Sequence, residues 1–157
     1  MSRLQMYYTP AQGSAKGSIL FIPGMWCQPS IWKLWAWWSA LAGWQSWVVE
    51  LKLKFGNNSI NHYVQLVEEA MDQIKHRYDV VPVLVGHSMG GLIVQKIASR
   101  QQVPAIVLVS SAAPMGICNL RWPIIRRFWR YLPQILFGRL FKPSDQDLMA
   151  LEFHRFG

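Results

Sequence analysis

Val83-Leu84-Val85-Gly86-His87-Ser88-Met89-Gly90-Gly91 decides how this chain is read. The segment opens as a short apolar run, the pattern of a buried strand over 82–86. It then passes through Ser88 into 89–100, where Leu92, Ile93, Lys96 and Ile97 recur at helical steps. A serine held between strand and helix by so short a turn sits in a strained backbone conformation, an arrangement that exposes its hydroxyl as a nucleophile. Residues two before and two after it must then be small, which Gly86 and Gly90 satisfy, while Gly91 lets the helix pack closely. Ser88 Oγ is expected above the C-terminal edge of a sheet. The first amides of the helix would lie where negative charge on an oxygen is best held. Ser88 is therefore the candidate nucleophile.

Working outward, Ser18-Ile19-Leu20-Phe21-Ile22 is a second apolar run, ended by Pro23-Gly24 as a buried strand entering a tight turn would be. Ser30 stands where it could cap a Trp-rich helix over 31–41, and strand character resumes at Trp47–Leu51 after Gly43. Between Ser59 and Tyr78, Ile60, Tyr63, Val64, Val67, Met71, Ile74 and Tyr78 fall at helical spacing with polar residues opposite. A further strand is expected over 105–109, and the distance from Pro82 to Val109 suits one strand–helix–strand crossover of roughly 30 residues. This alternation predicts an α/β fold: a largely parallel sheet with helices on both faces, occupying residues 1–114. From Pro114 onward the pattern is helical only, broken by Pro123, Pro133, Gly138 and Pro143, so 115–157 reads as a separate helical segment.

Three stretches together resemble the α/β-hydrolase superfamily, in particular its lipase- and lysophospholipase-like serine esterases. They are Ile19–Gly24, the elbow Val83–Gly91, and Ile106–Val109 with the following Ser110-Ser111-Ala112-Ala113-Pro114. Pro23 stands where many relatives carry a loop-shaping His before the glycine. The resemblance implies that the oxyanion is held by two backbone amides, Met89 N–H and one from the turn Pro23-Gly24-Met25-Trp26, for which Met25 N–H is the choice. It also implies that 115–157 begins a helical lid, and that an acid and then a His follow Ser88, each after a later strand. The later acids Asp145, Asp147 and Glu152 and the later His154 come in that order. Asp145 follows no strand, however, and the interval to His154 leaves no room for a helix and strand. The expectation is a chain that stops within the lid, short of its triad partners, with the local Asp145/Asp147 and His154 group as the alternative. His62 and His76 read as surface residues, His87 as a packing neighbour of the turn, and Cys27 as a buried inert thiol.

Composition narrows the classes. At 52% hydrophobic and 15% charged residues, a disordered chain is excluded. Nine tryptophans read first as core and second as a lipid-facing surface. The net charge of +8 arises where no Asp or Glu occurs between Asp79 and Asp145. There Arg126, Arg127 and Arg130 are interleaved with Trp122, Ile124, Ile125, Phe128, Trp129 and Tyr131, a mixture nearer to an interfacial helix than to a nucleic-acid surface. A solvated rim is the plainer reading of the same arginines. Cys27 and Cys118 make no disulfide framework and the N-terminus has no signal-peptide layout, which predicts a cytoplasmic setting. The apolar stretch 31–49 is interrupted by Lys33, Ser39, Gly43, Gln45 and Ser46, so no membrane span is expected.

The expected chemistry is hydrolysis of a carboxylic ester through an acyl-enzyme, with no metal or organic cofactor. The expected substrate is a small lipid-like ester with an apolar acyl group, with peripheral membrane contact through the basic aromatic lid and no nucleic-acid partner. Peptidase, thioesterase, acyltransferase and C–C hydrolase activities share the same elbow. A catalytically incomplete lipid- or membrane-binding protein on this fold is the alternative from another class, and an associating fragment with an open sheet edge is a third.

Overall fold

The apolar runs become neighbouring strands of one sheet in a computed structural model, which describes residues 4–51 and 59–114; the helical segment expected over 115–157 lies outside the described residues. In chain order the elements are β1 (Gln5–Thr9), β2 (Gly17–Ile22), a 3-10 turn (Pro29–Trp32) continuing into α1 (Lys33–Leu41), β3 (Trp44–Glu50), α2 (Ile60–Tyr78), β4 (Val83–His87), α3 (Met89–Ala98) and β5 (Ile106–Val109). The strands are ordered β1-β3-β2-β4-β5, with β2 through β5 parallel and β1 antiparallel to β3. The fold is thus α/β with a largely parallel sheet and helices on both faces.

Alternation along the strands divides the core in two. Leu20 and Ile22 of β2, Trp47 and Val49 of β3 and Leu84 of β4 pack with Val64, Val67 and Ile74 of α2 and Ile93, Val94 and Ile97 of α3. Phe21, Val48 and Val85, the intervening residues, face the other way and meet Trp32 and Ala36. The first cluster is much the larger, and each fully buried aliphatic side chain in it contributes roughly 1.5–3 kcal/mol.

Four features depart from the sequence expectation. β1 was not anticipated, because an edge strand has little need of a buried face. It is recognisable afterwards by Met6 packing on the larger core and by Tyr8, whose ring lies 5.0 Å from that of Trp47 and 5.9 Å from that of Tyr78. Ser30 caps no helix: it falls inside the 3-10 turn, whose N-cap is Gln28, and α1 starts at Lys33, directly after that turn, with Trp32 itself as N-cap. Of the tryptophans between 31 and 41 only Trp32 is core; Trp35, Trp37 and Trp38 are exposed, because Ala36 and Ala40 supply the face of α1 that meets the sheet. Finally, Ile106, Val107 and Leu108 are exposed although apolar, since β5 is an edge strand among the described residues.

Candidate active site

Ser88 occupies the single residue between β4 and α3, at φ 53° and ψ −117°. Left-handed backbone of this kind costs a non-glycine residue on the order of 1–3 kcal/mol and persists only where surroundings over-determine it. They do so here by hydrogen bonds. Ser88 N–H donates to the Val109 carbonyl at 3.1 Å, and the Ser88 carbonyl accepts from Gly91 at 3.0 Å, Leu92 at 3.3 Å and Ala112 at 2.9 Å. The residue is half-buried. It stands at the C-terminal edge of a central strand, the edge at which open α/β sheets bind ligands.

The glycines of the elbow are there because backbone fills the space a side chain would need. A Cβ on Gly86 would run into the backbone of Gly90, and a Cβ on Gly90 would run into the carbonyl of Ile22 at the end of β2. At Gly91 the obstacle is Ser111, whose Cβ would lie 2.6 Å away. The start of α3 is thus wedged between the ends of its neighbours, with the amides of Met89 and Gly90 ahead of the first intrahelical bond and at the positive end of the helix dipole.

The turn after β2 approaches from the other side. Cys27 N–H donates to the Gly24 carbonyl at 3.3 Å with Trp26 at φ 62°, the pattern of a type II turn whose second residue is Met25. Gly24 lies against the elbow: a Cβ there would be 3.0 Å from Ser88 Cβ and 3.0 Å from His87 Nδ1. The structure therefore brings together Ser88, Met89 and the turn that carries Met25, whose side chain is exposed while Met89 is buried. His87 is turned toward this turn, with Nδ1 3.9 Å from Cys27 Sγ. Cys27 is half-buried, not fully buried as the sequence suggested, because it closes a surface turn.

Sequence reasoning missed the clamp behind the elbow. Gln95 Nε2, from the second turn of α3, donates to Ser111 Oγ at 2.8 Å and to the Gly91 carbonyl at 3.3 Å. Ser111 Oγ donates in turn to the Ala112 carbonyl at 2.9 Å, while Ser110 adopts φ 43°. This holds the strand exit that bonds to the Ser88 carbonyl. No sequence signal marks a lone Gln on a helix for such work; the serine pair after an apolar strand was the only trace of it.

Of the other candidates, His62 and His76 are exposed on α2, and Asp145, Asp147, Glu152 and His154 lie outside the described residues, as do Cys118 and the basic aromatic segment. Among the described residues no group of three or more His, Cys, Asp or Glu side chains could hold a metal ion, and no helix is long and apolar enough to cross a membrane. An open concavity lined by Ser99, Arg100, Gln101 and Ile106 sits at the far end of α3 from Ser88 and has no part in this site.

No curated protein sequence matches the chain. Several solved structures share its fold. A soluble variant of monoglyceride lipase from Saccharomyces cerevisiae, bound to a substrate analog, superposes with a TM-score of 0.69 at 16% identity, covering 94% of this chain and 53% of the lipase. Esterase Est2 of Thermogutta terrifontis, with propionate bound, gives 0.62 at 16% identity over 81% of this chain and 57% of the esterase. The monoacylglycerol lipase of Paleococcus ferrophilus gives 0.61 at 16% identity over 83% and 52%. The chain thus spans a little over half the length of these structures. The sequence model of the alpha/beta hydrolase family matches residues 19–156, nearly the whole chain, and the chain belongs to that family.

Proposed function

We propose that the protein containing this chain hydrolyses carboxylic esters with Ser88 as nucleophile. One observation carries the reading: a serine held at φ 53° between a central parallel strand and a helix, with glycines at the contacts where side chains would displace it. In the proposed reaction Ser88 Oγ attacks the ester carbonyl carbon as its proton passes to a base. The carbonyl oxygen, now an oxyanion, accepts hydrogen bonds from the amides of Met25 and Met89. Collapse of the tetrahedral intermediate expels the alcohol with that proton and leaves an acyl-enzyme, which water hydrolyses by the same route.

The base comes from outside the described residues, since His62 and His76 are exposed on α2 and His87 faces Cys27. The substrate proposed is a small lipid-like ester. The solved esterase and lipases with which the chain shares its fold support this choice, as does the apolar character of Met25 beside the site. Contact of the basic aromatic segment with a membrane surface belongs to the same proposal.

The test is labelling with a fluorophosphonate, followed by mass-spectrometric location of the adduct, and ester turnover by the wild type and Ser88→Ala. An adduct on Ser88 and a loss of turnover on the order of 10⁴-fold or more are expected. Turnover that survives Ser88→Ala overturns the assignment, and an absence of both labelling and turnover favours the non-catalytic lipid-binding alternative.

A further inference from the structure

Helix α1 is apolar on two opposite faces, and among the described residues only one of them has a partner. Trp32 and Ala36, at i and i+4, meet the sheet, and Ala40 at i+8 is buried. Leu34, Trp37, Trp38 and Leu41 follow the i, i+3, i+4, i+7 pattern of a second stripe, turned to solvent, with Trp35 on its flank. The three indoles are 54% (Trp35), 49% (Trp37) and 58% (Trp38) exposed. At roughly 150–250 Å² per indole they alone present on the order of 300 Å² of apolar surface, the size of the largest patch on an ordinary monomer. Ser39, the one neutral polar residue of the helix, turns its hydroxyl back to the Trp35 carbonyl at 2.8 Å and gives the surface no polar relief.

Charge at the two ends of the helix indicates what covers this face. Lys33, the first residue of α1, is exposed. Lys16, also exposed, lays its aliphatic stem on Gly43 just past the C-terminus of α1, where a Cβ would be 3.2 Å from Lys16 Cε. The first acidic residue in the sequence is Glu50, so neither cation has a carboxylate earlier in the chain to answer it. A stripe of indole and leucine bracketed by cations matches the boundary of an anionic bilayer. Tryptophan settles at headgroup depth, and lysine meets lipid phosphate. A second copy of the chain fits less well, because a two-fold contact between α1 helices would set Lys33 of one copy against Lys16 or Lys33 of the other.

We propose that the outer face of α1, centred on Leu34 and Trp38, is a docking surface for an anionic lipid membrane. The proposal stands apart from the chemistry at Ser88, and its test has a separate readout. The purified chain is sedimented with phosphatidylcholine vesicles, with and without phosphatidylglycerol, alongside Leu34→Ser/Trp38→Ser and Lys16→Gln/Lys33→Gln, all checked for unchanged far-ultraviolet circular dichroism. Wild-type chain is expected to partition onto the anionic vesicles and to lose at least about 10-fold in Leu34→Ser/Trp38→Ser. The lysine variant should lose about 5-fold per charge, with the remaining binding less sensitive to salt than that of the wild type. Equal binding by wild type and Leu34→Ser/Trp38→Ser overturns the proposal. So does light scattering that finds a dimer dispersed by that variant, with no vesicle binding in either. Phosphonate labelling of Ser88 is unaffected whichever way the vesicle result falls.

Discussion

Helices α1 and α2 lie on opposite faces of one sheet and solve different problems. α2 presents Tyr63, Val64, Val67, Ala70, Met71 and Ile74 to the core and carries Asn61, Gln65, Glu69, Asp72 and Lys75 exposed on its other side. Its last turn holds Lys75 and Arg77, cations that suit the negative end of the helix dipole. α1 buries only two alanines of its own and shows water its larger apolar side chains. α2 is therefore built with one face for the core and one for water, whereas α1 is built for contact on both sides. Equal helicity does not mean an equal role: the larger core supplies stability, and the smaller one leaves its helix free to carry a surface.

The sharpest way to break this contrast is at the point where α3, on the larger-core side, is wedged against β2. Gly90→Ala drives a Cβ into the Ile22 carbonyl, a backbone atom that cannot swing aside. The expected loss is about 4 kcal/mol in urea unfolding, accompanied by loss of Ser88 labelling. Near-wild-type stability would mean that the wedge is loose. Next, Ile93→Ala empties a fully buried site on the larger core and should lower stability by about 3 kcal/mol. A change below about 1 kcal/mol would deny that this face holds the fold.

The smaller core predicts weaker effects. Trp32 is buried with its Nε1 lacking a hydrogen-bond partner among the described residues, so Trp32→Phe removes an unsatisfied donor at the same time as it removes ring volume. The two effects oppose each other, and thermal unfolding is expected to shift stability by no more than about 1 kcal/mol. A loss above about 3 kcal/mol would reveal a partner for that indole. Smallest of all, Trp38→Gln should alter stability by less than about 0.5 kcal/mol while visibly reducing binding of a hydrophobic dye. A large destabilisation there would place Trp38 in the core and end the comparison.

The elbow and its strands were legible in the sequence because their rules are local. Three apolar runs and glycines at fixed offsets from Ser88 specify backbone contacts within a few residues of one another. β1 was not legible, since its pairing with β3 joins Gln5 to Glu50 across a long separation and needs only a few side chains on one face. The outward tryptophans of α1 escaped for a different reason. A helix apolar all round reads as buried, and the letters alone cannot say which face finds a partner. The Gln95–Ser111–Ala112 clamp depends on the end of β5 lying beside α3, which only the assembled sheet provides.

The obstacles behind Gly86 and Gly90 are main-chain atoms, and this has a bearing on how such a protein can change over generations. Every amino acid carries the same carbonyl, so a substitution at Ile22 or Pro23 leaves the wall against Gly90 standing, whatever it does to the core. Side chains throughout the sheet are free to drift in identity while the shape that holds Ser88 is inherited through atoms no codon can alter. Superposition with a distant lipase at only 16% identity is what such a division permits. Compensating mutations, which can rescue a damaged core, have nothing to act on at these glycines.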